Sequence, residues 1–322
     1  MRIIERGLLM VVVLVGLGLT GSQAAWAKPQ GAKQVDPTTI TPCTNATTVL
    51  NANNVVYTLS SSFSTSFTGT CISLTGNNDL IVIGPEITIT GPGTSNANSI
   101  GIKITGNTDV INGRASTITG FALGVLDNGN STLGDNMTFT DDGTGLELGS
   151  GGHSPRWVNV NSTSNTVNGV WINGCGDDCQ VSNFFTASNG GDGVLMSNGG
   201  GPGNMVSIFV SQDNTGDGVH VGNTSGGGTN ASIVDDAALS ATLAINNNGG
   251  DGVFLDASEN GSQDVVTGVE SDDNTGIDMH DATTNCGTGG MPKFNLWSSN
   301  VFGTSKAGTT TSPTCIPLLP TE

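Results

Sequence analysis

Asn189-Gly190-Gly191-Asp192-Gly193-Val194-Leu195-Met196 returns as Asn214-Thr215-Gly216-Asp217-Gly218-Val219-His220-Val221 and again as Asn248-Gly249-Gly250-Asp251-Gly252-Val253-Phe254-Leu255. A weaker copy, Asn274-Thr275-Gly276-Ile277-Asp278-Met279, closes the series. Earlier copies read Asp142-Gly143-Thr144-Gly145-Leu146-Glu147-Leu148 and Asn168-Gly169-Val170-Trp171-Ile172. Aligning the glycine before each apolar residue gives Gly101, Gly124, Gly145, Gly169, Gly193, Gly218, Gly252 and Gly276, with steps of 23, 21, 24, 24, 25, 34 and 24 residues. A period in the twenties with one long step is the pattern of a solenoid. The long step contains the turn-rich Gly222-Asn223-Thr224-Ser225-Gly226-Gly227-Gly228-Thr229-Asn230, whose removal restores the period.

After each glycine the residues alternate, so that in Val219-His220-Val221 the valines share one face and His220 takes the other. A second apolar run lies about a dozen residues upstream in each period, as in Val181–Phe185, Val206–Val210 and Val265–Val269. Short strands joined by Asn, Gly and Asp turns cannot bury their apolar face alone; stacking one coil on the next gives them a continuous core. A leucine-rich repeat has a similar period, but its leucine skeleton and helix are absent. The spacing therefore predicts an all-β solenoid, a single-stranded parallel β-helix of about nine or ten coils with end caps. Asn189, Asn214, Asn248 and Asn274 fall at equivalent corners, where asparagine tolerates positive φ and can stack its amide into a ladder.

The corner motif, the step and the Asn-rich turns resemble the right-handed parallel β-helix superfamily of pectate lyases and related proteins. The stretch from Gly69-Thr70-Cys71-Ile72 to Ile111-Asn112-Gly113 is similar to the first coils of secreted bacterial members with no assigned chemistry, and so is Asn295–Thr304 at the other end. The resemblance spans residues 43–315 and implies a right-handed coil; it does not by itself imply an activity, because one scaffold carries many.

Residues 1–27 read as a secretory signal: Arg2 and Arg6, an apolar stretch from Leu8 to Leu19, and the small-x-small site Ala25-Trp26-Ala27. Residues 28–42 read as a flexible leader, 43–315 as the β-helix with its caps, and 316–322 as a tail. The protein is expected to be secreted, extracellular or periplasmic, with no membrane span after signal cleavage. Six cysteines group in sequence as Cys43 with Cys71, Cys175 with Cys179, and Cys286 with Cys315. In an exported chain they read as disulfides, local pairing being favoured in a solenoid, with the first and last pairs tying down the end caps.

The formal net charge is −18, with 9 basic and 27 acidic residues. That disfavours nucleic acid as a partner and repels bare anionic polysaccharide. Asp192, Asp217 and Asp251 fall in one column, to be read either as solvated corner carboxylates or as a calcium site.

The residues that follow the anchors on the outward face read Lys103, Leu126, Glu147, Trp171, Leu195, His220, Phe254 and Asp278. Four large apolar residues exceed what a solvated face needs. Glu147, Trp171, Leu195, His220 and Phe254 are therefore candidate ligand-binding residues, with Trp171 and Phe254 placed to stack on sugar rings. The competing explanation is cover by the loop after Gly222 or by a second copy of the chain. Alternation also places Asp278 and His280 on one face, a carboxylate and an imidazole suited to general acid and base work. The string Asp278-Met279-His280-Asp281 resembles the Asp-Pro-His-Asp motif of alginate C5-epimerases. Met279 stands where that family has proline, Thr275 where it has tyrosine, and Tyr57 is the only tyrosine. Asp177-Asp178-Cys179 resembles the Asp-Asp-Cys of polygalacturonases, whose Gly-His-Gly and Arg-Ile-Lys motifs are absent. The only arginines after the signal are Arg114 and Arg156, and neither lies in a lyase motif, although His153 and Trp157 flank Arg156 in sequence. These features suggest a non-catalytic surface or carbohydrate-interacting protein. The alternatives are a lyase or epimerase on acidic glycans, and a structural rod or adhesin.

Overall fold

The computed structural model describes residues 37–197, 203–222, 231–234, 244–257, 264–283, 295–302 and 305–307. The expected signal (1–27), most of the leader, the loop after Gly222 and the tail lie outside the described residues.

No described residue is in an α-helix, and none belongs to a helix long and apolar enough to cross a membrane. Among the described residues the strands form one sheet of 16 and one of 11, and the strands of successive coils pair in parallel. The chain is a parallel β-helix, as expected, and the 11 strands of the second sheet stand close to the nine or ten coils anticipated. Each coil contributes a short strand such as Val194–Ser197 to the second sheet and a longer one such as Gln180–Ala187 to the first.

The corners are made by residues that accept left-handed backbone. Asn78, Thr108, Ser131, Ser154 and Asp178 precede the long strands, and Asp141, Ser164, Ser188, Asp213, Asn247 and Asp273 follow them, all with φ between 54° and 60°. Asn136, Asn159 and Asn183, with φ of 57°, 55° and 49°, bend the long strands midway. Inward side chains from successive coils stack: Val170, Val194, Val219, Val253 and Met279 are fully buried in one column, and Phe184 stacks on Phe209 with centroids 5.1 Å apart.

Two of the three expected disulfides fall among the described residues. They join Cys43 to Cys71 and Cys175 to Cys179, the local pairings that the sequence favours. The third does not appear among them: Cys286 and Cys315 both lie outside the described residues. The cap closure expected at the C-terminal end therefore has no counterpart among the described disulfides, whereas the one at the N-terminal end does.

The long step is distributed differently from the expectation. Met205 pairs with Ser232, an offset of 27, whereas Ser211 pairs with Ile245, an offset of 34. Of the nine residues by which 34 exceeds the preceding offset of 25, seven therefore fall between Val234 and Ala244 and two before Ser232, in the part of the coil that contains Gly222–Asn230. A sheet tolerates an insertion wherever strands on both sides keep register, and glycine content alone does not locate it.

The anticipated asparagine ladder is present and runs through the interior of one corner. Asn165 donates from its N and Nδ2 to Asn189 Oδ1, both at 3.0 Å. Asn189 does the same to Asn214, Asn214 to Asn248 and Asn248 to Asn274, each pair at 3.1 and 2.9 Å. The ladder ends on carboxylates. Asn274 donates to Asp278 Oδ1 at 2.8 Å, and at the other end Phe121 N donates to Asp142 Oδ1 at 2.8 Å. A second corner uses carboxylates from the start: Val55 N donates to Asp79 Oδ1 and Asp79 N to Asp109 Oδ1, at 2.8 and 2.9 Å. The Oδ2 atoms of Asp79, Asp109 and Asp142 are buried without a hydrogen-bond partner. Burial raises Asp79 above the ordinary carboxylate range. Burial, with the charges of Asp79 and Asp127, raises Asp109 to about 7. Burial raises Asp142 to about 8, with Asp141 adding to the effect. Burial also raises Asp127 to about 6, although the hydrogen bonds donated by Trp157 Nε1 and Gly129 N oppose the shift. A protonated carboxyl is the isostere of the amide that this position requires.

Asn214→Ala deletes four ladder bonds and leaves Asn189 N without its partner, so denaturant melts should show a loss of roughly 2–4 kcal/mol. The carboxyls with raised folded values bind more protons when folded than when unfolded. Their contribution is complete below the ordinary value of 3.8 and is lost as pH rises through about 6 to about 8. The melting temperature should therefore fall from about pH 4 to about pH 8, and Asp142→Asn should flatten that slope.

Candidate functional site

The second sheet carries the outward column. Pairing places Lys103, Leu126, Glu147, Trp171, Leu195, His220, Phe254 and His280 in one line, one per coil. All eight side chains are half-buried. The last position differs from the expectation, which placed Asp278 there. Gly276 N donates to Gly250 O, so Gly276 is the partner of Gly250 and Asp278 takes the place of Gly252. The same equivalence appears in the serine that caps each of these positions: Ser211 Oγ donates to Gly218 O at 2.8 Å and Ser271 Oγ to Asp278 O at 2.9 Å.

The residue at this position faces inward together with the apolar residue after it, which breaks the alternation. A Cβ at Gly193 would meet Ser211 Oγ at 2.0 Å, and one at Gly218 would meet Ile245 Cγ2 at 2.1 Å. Asp278 is accordingly 3% exposed, with its carboxylate turned to Asn274. Asp278 and His280 do not share a face, and the expected acid–base pair is not formed between them. His280 lies instead against Asp251, with Nδ1 2.6 Å from Oδ2.

The corner aspartates flank this column and have two tasks. Asp217 N donates to Asp192 Oδ1 at 2.8 Å, Asp251 N to Asp217 Oδ1 at 2.6 Å, and Ile277 N to Asp251 Oδ1 at 2.6 Å. One oxygen of each carboxylate thus holds the next coil, while the other reaches the column. His220 Nδ1 lies 3.5 Å from Asp192 Oδ2 and 3.2 Å from Asp217 Oδ2. Burial pushes the His220 imidazole down, but the hydrogen bonds and charges of Asp192 and Asp217 outweigh it and raise it to about 10. Phe254 lies between the two histidines, with centroids 4.9 Å from each ring.

Asp192, Asp217 and His220 bring three potential ligand atoms within 4.8 Å of one another. Calcium takes six to eight oxygens, whereas a nitrogen donor suits a transition metal. Asp251 is engaged with His280 and is not a member of this group, so the three aspartates do not converge as one calcium cage. Among the described residues, the electrostatic partner of the Asp192–Asp217 pair is His220 itself.

Further along the column, Asn173 Nδ2 donates to Glu147 Oε1 at 2.6 Å and Trp171 Nε1 to Ser197 Oγ at 2.8 Å. Burial raises the Glu147 carboxyl, against the bond from Asn173. The sequence reading does not single out Asn173 or Ser197; both lie two residues after a column position, on the pattern that carries its polar support. The sequence neighbours of Arg156 do not gather around it: Trp157 is fully buried and donates to Asp127 Oδ2 at 2.8 Å, while Arg156 and His153 are exposed. Asp177 and Asp178 are exposed on the loop closed by the disulfide of Cys175 and Cys179.

No family model matches the chain, and no curated protein matches it significantly. Among solved structures, the Dettilon tailspike protein aligns at 13% identity over 80% of this chain and 54% of its own, with a TM-score of 0.44. This chain thus spans about half the length of that tailspike. The periplasmic alginate epimerase AlgG aligns at 12% identity over 80% of this chain and 74% of its own, with a TM-score of 0.42. The pectate lyase Pel9A aligns at 15% identity over 81% and 70%, with a TM-score of 0.36. The parallel β-helix fold of the chain is carried by its own strand topology.

With Asp192 and Asp217 holding its proton, His220 should remain imidazolium from about pH 5 to about pH 8. Its ring nitrogens in a proton–nitrogen correlation spectrum should not move across that range; titration near the ordinary histidine value would show that the carboxylates do not hold the proton.

Proposed function

We propose that this chain is an exported β-helix protein that binds carbohydrate without transforming it, along the column Trp171, Leu195, His220, Phe254 and His280. The supporting observation is the column itself. Ring-bearing and apolar side chains stand in register on a sheet, one per coil, about 4.8 Å apart. Trp171 Nε1 is tied to Ser197 and the Nδ1 atoms of His220 and His280 to the corner aspartates, which fixes the rings. Rings fixed in this way stack on the apolar faces of sugars at low entropic cost. The acidic chain favours neutral glycans, or acidic ones bridged by calcium.

The second reading, a lyase or epimerase, now rests on the Asp251–His280 pair in place of Asp278 and His280. A carboxylate that orients an imidazole is a general-base arrangement. For His220 the same chemistry is disfavoured, because an imidazolium held by two carboxylates does not accept a proton near neutrality.

Proton spectra of neutral glycans, alginate and pectate incubated with the protein, with and without calcium, separate the readings. Binding without chemistry gives selective line broadening and unchanged glycan signals. New vinyl protons or inverted uronate centres would refute it in favour of the enzyme. Trp171→Ala should weaken the bound glycan about tenfold or more, the scale of a lost aromatic anchor.

A further inference from the structure

The 16-stranded sheet carries an outward array of a different kind. Thr88 pairs with Thr117, Thr117 with Thr138 and Thr138 with Asn161. Two residues on, Ser64 pairs with Thr90, Thr90 with Thr119, Thr119 with Thr140 and Thr140 with Thr163. The result is two ranks of hydroxyl-bearing side chains across successive coils, broken only by Asn161. The ranks are separated by about 6.6 Å along each strand and the coils by about 4.8 Å. Between the ranks, Ile89, Ile118 and Phe139 point inward and are fully buried, so the array is backed by core.

Three features limit what can occupy this face. First, no position of either rank is charged, in a chain with 27 acidic residues, and the exposed Asp141 borders the array beside Thr140. Second, the hydroxyls are free: among these threonines only Thr140 has a side-chain contact to the described residues, Oγ1 lying 3.4 Å from Asp141 Oδ2. Third, threonine is stiff at χ1, so each position holds a methyl and a hydroxyl at fixed points, and the array repeats in two directions. A charged polymer has no complement here. An isolated oligosaccharide would meet one rank only. A crystalline polysaccharide repeats in two directions, but its flat apolar faces favour aromatic side chains, and the array has none.

We propose that this face binds ice. Methyls at fixed spacing hold the water between them in ordered arrangements, and the hydroxyls donate to and accept from that water. A crystal of water is uncharged, repeats in two directions on a comparable scale, and presents donors and acceptors in equal number. The array ends where Phe185 and Ala187 replace Asn161 and Thr163, which confines the face to the coils of residues 62–163.

The test uses the purified full chain in a nanolitre osmometer and in an ice-recrystallisation assay. The expected result is a gap between melting and freezing points, with faceted crystals and arrested recrystallisation. Thr138→Tyr, central in the array and compatible with a strand, should abolish both, while Val210→Tyr, in the same column beyond the array, should leave them intact. Melting curves establish that each variant is folded; if Thr138→Tyr is not, Thr138→Val, which keeps the shape and removes the hydroxyl, should still lower the activity. A folded wild type without hysteresis or recrystallisation inhibition overturns the proposal. So does activity that survives in folded Thr138→Tyr, or retention on crystalline cellulose powder without any effect on ice. Because the glycan column lies on the other sheet, failure here leaves that reading standing.

Discussion

A parallel β-helix must return the backbone to the same place once per coil, and here that return is set by hydrogen bonds at the corners. A strand pair alone tolerates slippage in steps of two residues, since such a slip preserves the inward face. The ladder from Asn165 to Asn274 removes that freedom. Each Oδ1 accepts both the backbone N and the side-chain Nδ2 of the residue one coil earlier, so a shifted register would leave buried donors unpaired. The aspartates at Asp192, Asp217 and Asp251 fix a neighbouring corner by a one-oxygen version of the same bond. Once the corners are fixed, outward columns align without further instruction. The ring column and the threonine array are both consequences of a register decided elsewhere.

Those corner aspartates also explain the unequal environments of the two histidines. Each carboxylate uses Oδ1 on the following coil, which leaves one oxygen for the column. His220 sits opposite two such coils and reaches both Asp192 and Asp217, whereas His280, at the last copy of the motif, reaches Asp251. Ile277 stands where a fourth aspartate would continue the series, and its N–H still completes the corner by donating to Asp251. The carboxylate partners of each histidine therefore follow from its place along the solenoid.

The fold is legible in the sequence because the corner chemistry is written in a few residue types. Gly-Asp-Gly-Val names a corner, a strand start and an inward residue together, and its period leads directly to the coil. The same locality makes the pairs of Cys43 with Cys71 and Cys175 with Cys179 readable, since cysteines one coil or one corner apart must come close in a solenoid. The facing of side chains at the strand start is less legible. Gly252 and Val253 both face inward, an exception to alternation that glycine conceals because it has no side chain to point. Only where aspartate takes that place does the exception acquire consequences, and for this reason simple alternation assigns Asp278 to the wrong face. Most of the insertion is misplaced for a related reason: glycine marks where a chain can turn, while the pairing of Ser211 with Ile245 records where residues were added. The threonine ranks are present in the sequence, but Thr88, Thr117 and Thr138 are separated by unequal steps of 29 and 21 residues, and their alignment emerges only through pairing.

The charge of the chain has to be reconsidered in the same light. The formal value of −18 counts every carboxyl as ionised at pH 7. Asp142, raised to about 8, is mostly neutral there, and Asp109, raised to about 7, is about half neutral. Asp192 and Asp217 share the positive charge of His220. The field felt by an approaching ligand is therefore weaker than the formal count, and weakest along the columns whose carboxylates are buried or paired. An acidic composition that disfavours anionic polymers over the whole surface thus leaves two faces, the ring column and the threonine array, on which neutral ligands meet little opposing charge.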